Sequence, residues 1–144
     1  MKHTKKNSKR EPNVFYLDAN IFIYSTINTQ ELGKNARLLL GKIQQGDEKA
    51  ITSALTFDEV FWAVKKHNLD LAFEACEALL NFPNLEIAPA DRELALSALQ
   101  LIREYHLAPR DALHAATAIA KKADYMVTTD DHFQKVKELK LKGI

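Results

Sequence analysis

With 144 residues, 47% of them hydrophobic, the chain is the size of one domain and can bury a core without covalent staples. Its single cysteine, Cys76, excludes a disulfide framework and fits a reducing, cytoplasmic setting, and no apolar run reaches the roughly 20 residues that a membrane-spanning helix needs. The net charge of +1 is unevenly spread: Lys2, Lys5, Lys6, Lys9 and Arg10 account for five of the 20 basic residues, which leaves 15 against 19 acidic ones, so the body carries about −4 and excludes broad, nonspecific affinity for nucleic acid phosphates.

Residues 1–12 are therefore expected to form a basic, solvated, disordered arm, and residues 13–144 a single domain. Residues 14–17 read as a short buried strand ending at Asp18, and a helix starts near Asn20. Leu32, Ala36, Leu39, Leu40 and Ile43 recur at helical spacing and predict a helix over 31–45, which Gly46 ends. A second strand is predicted at 50–53. Two helices follow, over 56–67 and 69–82, broken by Asn68 and closed by Pro83. The second carries Cys76 among Ala72, Leu79 and Leu80, where a free thiol packs as a small hydrophobe. Residues 85–88 form a strand. Asp91 caps a helix running to about 106, and Pro109 opens an alanine-rich helix to about 123. Residues 125–128 are a last strand and 130–139 a last helix.

Short apolar strands alternating with helices predict a parallel sheet covered on both faces. In such sheets ligands bind beyond the carboxyl ends of the strands, where the strand order reverses. Asp18 and Asp130 directly follow strands, Glu59 follows one closely, and Asp111 opens the helix that leads into the last strand. Each has an ordinary explanation. Asp18 can end a strand, and Thr56-x-x-Glu59 matches a capping box. Asp111 suits the positive end of a helix, and Asp130 or Asp131 suits a turn. Together they imply more, because like charges ~4 Å apart repel by about 4 kcal/mol at an effective dielectric of about 20. A divalent cation relieves that repulsion, and oxygen ligands suit Mg²⁺ or Mn²⁺. The chain has no zinc-ligand spacing, no glycine-rich phosphate loop and no Ser-His-Asp or Cys-His pattern. An aspartyl phosphatase or phosphorelay receiver is disfavoured by Asn20 and by the lack of a lysine after a late strand.

Four segments in this order resemble the PIN-domain family, most closely its small VapC-type toxin branch. They are Leu17-Asp-Ala-Asn20, Ser53-Ala-Leu-Thr-Phe-Asp-Glu59, Leu107-Ala-Pro-Arg-Asp-Ala-Leu-His-Ala-Ala-Thr117 and Val127-Thr-Thr-Asp-Asp-His-Phe133. The resemblance runs from about Val14 onward. It implies a three-layer α/β/α sandwich with a central parallel sheet, and metal-dependent endonucleolytic hydrolysis of RNA phosphodiester bonds. Asp18, Glu59, Asp111 and Asp130 carry over as the acidic quartet, Asp130 being favoured over Asp131 by its distance from Phe133. Asp18, Asp111 and Asp130 are expected to bind Mg²⁺ or Mn²⁺, and Glu59 to order or deprotonate the attacking water. Asn20 and Thr128 carry over as groups that orient a ligand or water. Arg110 and His114 are possible substrate contacts, against which stand an exposed arginine without a task and a histidine that packs its helix.

Two departures stand out. The residue before Phe133 is often acidic in the family and is His132 here, and the chain stops at Ile144 where relatives add a strand, so a shorter sheet edge is expected. The branch implies the toxin of a toxin–antitoxin pair, with an antitoxin protein as partner. An RNA-processing nuclease without an antitoxin and a non-catalytic binding module are the alternatives. Phe57, Phe61, Trp62, Leu69, Phe73 and Leu80 load the 56–82 helical hairpin with more apolar surface than one sheet face covers, so a homodimer through this hairpin is expected.

Overall fold

Alternation along each strand decides which side of the sheet a residue serves. In the computed structural model, which describes residues 10–144, β1 (Val14–Leu17), β2 (Lys49–Ser53), β3 (Leu85–Ala88), β4 (Tyr125–Val127) and β5 (Leu141–Lys142) form one parallel sheet in the order β3-β2-β1-β4-β5. Phe15, Leu17, Ala50 and Val127 point to one face and pack with α1 (Ala19–Ile27), α2 (Glu31–Gln44), α3 (Leu55–Lys65) and α4 (Leu69–Leu80). Tyr16, Ile51, Ala88 and Met126 point to the other, against α5 (Arg92–Tyr105) and α6 (Pro109–Ala120). This is the expected three-layer α/β/α sandwich. Cys76 is buried in the first core, as its helical pattern predicted. Among the described residues, no helix is long and apolar enough to cross a membrane.

The sheet grows outward from β1 in both directions. The chain runs β1, β2, β3 to one side and then returns to lay β4 against β1 on the other. The strand order therefore reverses between β1 and β4, and the segments leaving these two strands begin at Asp18 and Thr128.

The corner between α1 and α2 depends on one close approach. Asn28 Oδ1 accepts from the backbone N–H groups of Gln30 and Gly33. A Cβ at Gly33 would lie 1.9 Å from the Asn28 carbonyl oxygen, a distance no side chain tolerates. Gly33 thus lets the two helices meet, and Arg37 donates to the same carbonyl at 2.9 Å.

The predicted last helix is not there. Residues Asp131–Lys135 make a single 3-10 turn, and the chain then enters β5. Phe133 and Val136 are buried on the α5–α6 side, with Leu139 packed against them. Their spacing of three suits a 3-10 turn as well as a helix. β4 also needs a partner for its backbone, and it obtains one: Met126 N–H donates to Lys140 O at 2.8 Å and Thr128 N–H to Lys142 O at 3.1 Å. β5 supplies the edge strand and is only two residues long, the shorter sheet edge that was expected.

Residues 1–9 of the expected arm lie outside the described residues. Arg10, its last basic residue, forms an ion pair with the buried carboxylate of Glu48, which also accepts from Asn13 N–H at 2.7 Å. In the α3–α4 hairpin, Phe61 meets Phe73 edge to face with ring centres 5.4 Å apart. Phe57, Trp62, Leu69, Phe73 and Leu80 are all exposed.

Candidate active site

Asp18 ends β1 and caps α1. It is 5% exposed, and both carboxylate oxygens are engaged. Oδ1 accepts from Asn20 N–H at 2.8 Å, and Oδ2 accepts from the Thr128 hydroxyl at 2.5 Å. Thr128 Oγ1 in turn accepts from Asp130 N–H at 3.0 Å. One hydroxyl thus ties the end of β1 to the end of β4 and fixes Asp18 and Asp130 relative to each other. Burial raises the Asp18 carboxyl above its ordinary range, against the hydrogen bond from Thr128.

Glu59 lies on α3 and does not form the capping box that its spacing allowed. The helix is capped at Ala54 without a side-chain bond. The Thr56 hydroxyl instead pairs with Thr52 Oγ1 at 2.7 Å, and Thr52 donates to Leu17 O. Glu59 Oε1 meets His114 Nε2 at 2.5 Å.

His114 is 2% exposed. Its Nδ1 lies 2.5 Å from the Tyr16 hydroxyl. A carboxylate at Glu59 only accepts, so Nε2 carries the proton and Nδ1 accepts from Tyr16. Burial raises the Tyr16 phenol far above its usual range, and the negative charges of Glu59 and Asp18 add to that, so it stays a donor. His114 is therefore a buried bridge between Tyr16 and Glu59. Arg110 is exposed, 3.9 Å from Asp58.

Asp111 stands in the first turn of α6, after Pro109 at its start. Burial first, and then the charge of Asp130, raise its carboxyl above the ordinary range. Asp130 caps the 3-10 turn through Oδ1, which accepts from His132 N–H at 2.8 Å. The same turn brings His132 Nδ1 to 3.0 Å from Asp130 Oδ1 and 3.8 Å from Asp111 Oδ2.

Asp18, Asn20, Glu59, Asp111, His114 and Asp130 line one cleft, at the point where the strand order reverses. All four acids picked out in the sequence reach it, whereas Asp131 does not line it and Arg110 stays outside. The donor set fits a divalent cation. One ligand atom from each of Asp111, Asp130 and His132 lies within 4.8 Å of the other two. Burial is the main cause that raises the carboxyls of Asp18 and Asp111, and the neighbouring acids Glu59 and Asp130 add to it. Two participants were missed in the sequence. Tyr16 reads as one more apolar strand residue until its face is known, and His132 registers only as a departure from an acid.

Comparison with known proteins agrees with the fold. The family model described as PIN domain matches residues 15–139. Ribonuclease VapC2 of Methanocaldococcus jannaschii is 25% identical over 152 residues, covering 92% of this chain and 95% of its own. Among solved structures, VapBC2 from Rickettsia felis, bound to a DNA fragment from its promoter, superposes with a TM-score of 0.68 at 21% identity, over 90% of this chain and 98% of that one. Mycobacterium tuberculosis VapC20, a Sarcin-Ricin loop cleaving toxin, gives 0.69 at 16% identity, over 85% and 95%. With the family model spanning both cores and all four acidic positions, the chain belongs to the PIN domain family.

Proposed function

We propose that this PIN domain is a metal-dependent endoribonuclease that acts as the toxin of a toxin–antitoxin pair in the cytoplasm. The observation that carries the reading is the convergence of Asp18, Glu59, Asp111 and Asp130 on one cleft. It is supported by the relatives: one is named a ribonuclease, one a toxin that cleaves the Sarcin-Ricin loop, and one solved neighbour from Klebsiella pneumoniae is a toxin–antitoxin complex. An antitoxin protein is accordingly the expected partner.

Asp18, Asp111 and Asp130 would hold the cation, Mg²⁺ or Mn²⁺. When bound, it supplies positive charge that offsets the carboxylates, polarises a phosphoryl oxygen and acidifies a water. Thr128 keeps Asp18 and Asp130 in register through its paired hydrogen bonds. Asn20 holds Asp18 through its backbone N–H and lines the cleft beside it. Glu59 orients the attacking water and takes its proton. His114 fixes the Glu59 carboxylate by donating from Nε2, and Tyr16 fixes His114. To Arg110, exposed at the start of α6 and outside the cleft, we assign contact with a substrate phosphate beyond the metal site. RNA is engaged locally, because the acidic body offers little general attraction to phosphates.

The exposed apolar side chains of the α3–α4 hairpin support a homodimer through this face. The test of the activity is cleavage of RNA with Mg²⁺ or Mn²⁺, with wild type beside Asp18→Asn. Cleavage by wild type and its loss in the variant are expected; equal cleavage by both overturns the assignment.

A further inference from the structure

The last segment of the cleft differs in chemistry from the rest. Around Asp130 the chain makes a 3-10 turn whose first bond runs from His132 N–H to Asp130 Oδ1. The turn is held from below by Phe133 and Val136, both buried. This turn brings His132 back toward Asp130, and its Nδ1 lies 3.0 Å and 3.8 Å from oxygens of the cleft-lining Asp130 and Asp111. Adjacent ligands of an octahedral cation with bonds of about 2.1 Å lie about 3 Å apart. The His132–Asp130 pair has that spacing, and the ligand atoms of all three residues lie within 4.8 Å of one another.

We propose that His132 contributes Nδ1 to the metal site beside Asp111 and Asp130, giving a mixed carboxylate–imidazole site that prefers Mn²⁺ to Mg²⁺. The inference rests on the metal-dependent reading above. Mg²⁺ strongly prefers oxygen and gives up its water reluctantly, whereas imidazole nitrogen suits transition-metal ions. The ring costs little to recruit. Its side chain is 72% exposed, so Nε2 keeps its hydration while Nδ1 faces the two carboxylates. The main-chain bond to Asp130 has already fixed the turn that presents it.

The test is Mn²⁺ binding by the untagged full chain, followed in two ways. Loss of the free-ion electron paramagnetic resonance signal gives the affinity, and pulsed measurements on the bound ion report coupling to a directly ligating nitrogen. Wild type is expected to show nitrogen coupling and to bind Mn²⁺ at least about tenfold more tightly than Mg²⁺. In His132→Ala the coupling should vanish, and Mn²⁺ affinity should fall by about tenfold or more, as metal affinity does when supporting groups of a site are removed. Affinity for Mg²⁺ should change little. His132→Asp should narrow the gap between the two ions. Melting temperatures in EDTA establish that both variants are folded. Mn²⁺ binding without nitrogen coupling, or coupling that persists in His132→Ala, overturns the role of His132 and leaves the carboxylate site standing. Failure of wild type to bind Mn²⁺ at all overturns the metal-dependent reading, and this inference with it.

Discussion

Glu59 is held in place by a side chain that never reaches solvent. The Tyr16–His114–Glu59 chain runs from β1 through α6 to α3, and each member has its partner set by the next. Glu59→Gln separates the roles this residue can have. An N-terminal cap would tolerate glutamine, but Glu59 caps nothing in this structure. Cleavage is expected to fall by about 10²–10⁴-fold, the usual contribution of a general base, with little change in melting temperature. Retained activity in that variant would remove Glu59 from the chemistry. Asp111 gives a second test, through pH. Its folded pKa is raised, so its favourable contribution is complete below the unfolded pKa and is lost as pH rises through the folded one. At neutral pH without cation the ionised group is thus a liability. In EDTA, Asp111→Asn is expected to melt higher than wild type by about 2–4 °C at most, since solvent screens a partly exposed group, and the gap should close as the solution is made acidic. A variant less stable than wild type in EDTA at neutral pH would count against charge crowding. The acids were legible in the sequence because strand ends at a reversal of strand order are where such sheets bind ligands. The His114 bridge was not, because it depends on which face of β1 carries Tyr16.

At the scale of elements, the two helical layers depend on corners as much as on cores. Gly33 is the tightest of these corners, with backbone where a side chain would be. Overpacking costs typically 1–3 kcal/mol, and here the obstructing atom is a carbonyl that Arg37 and the Asn28 turn hold in place. Gly33→Ala is expected at or above the upper end of that range, measured by urea unfolding, while Gly41→Ala, which would meet nothing within 4 Å, should be neutral or stabilising. Comparable stability of the two variants would show that the corner yields. Most helices could be read from apolar periodicity and their breakers, since Gly46, Asn68, Pro83 and Pro109 lie at or just beyond helix ends. The segment after Asp130 could not. Phe133, Val136 and Leu139 satisfy two periodicities, and β5 is too short to show alternation, so what decides it is the unpaired edge of β4. The same segment shapes the site, because its turn carries His132 beside Asp130 and Asp111.

For the whole molecule, the cleft and the exposed apolar face both draw on α3. α3 carries Glu59 toward the cleft and Trp62 toward solvent. Exposed Phe57, Trp62, Leu69, Phe73 and Leu80 on one hairpin favour pairing of two copies by a twofold axis. Light scattering is expected to give about twice the 16.3 kDa chain mass, and Trp62→Glu should shift it toward the monomer without unfolding the domain; a wild-type monomer at micromolar concentration would exclude this interface.

The central claim is that the crowded carboxylates form a cation-dependent nuclease site. Its most direct test is RNA cleavage by wild type stripped with EDTA and then given Mn²⁺ or Mg²⁺ in excess, with Asp18→Asn treated in parallel. Cleavage should be absent in EDTA, return with the cation in wild type, and stay absent in the variant. Cleavage that proceeds unchanged in EDTA, or that the variant recovers in full, would contradict it.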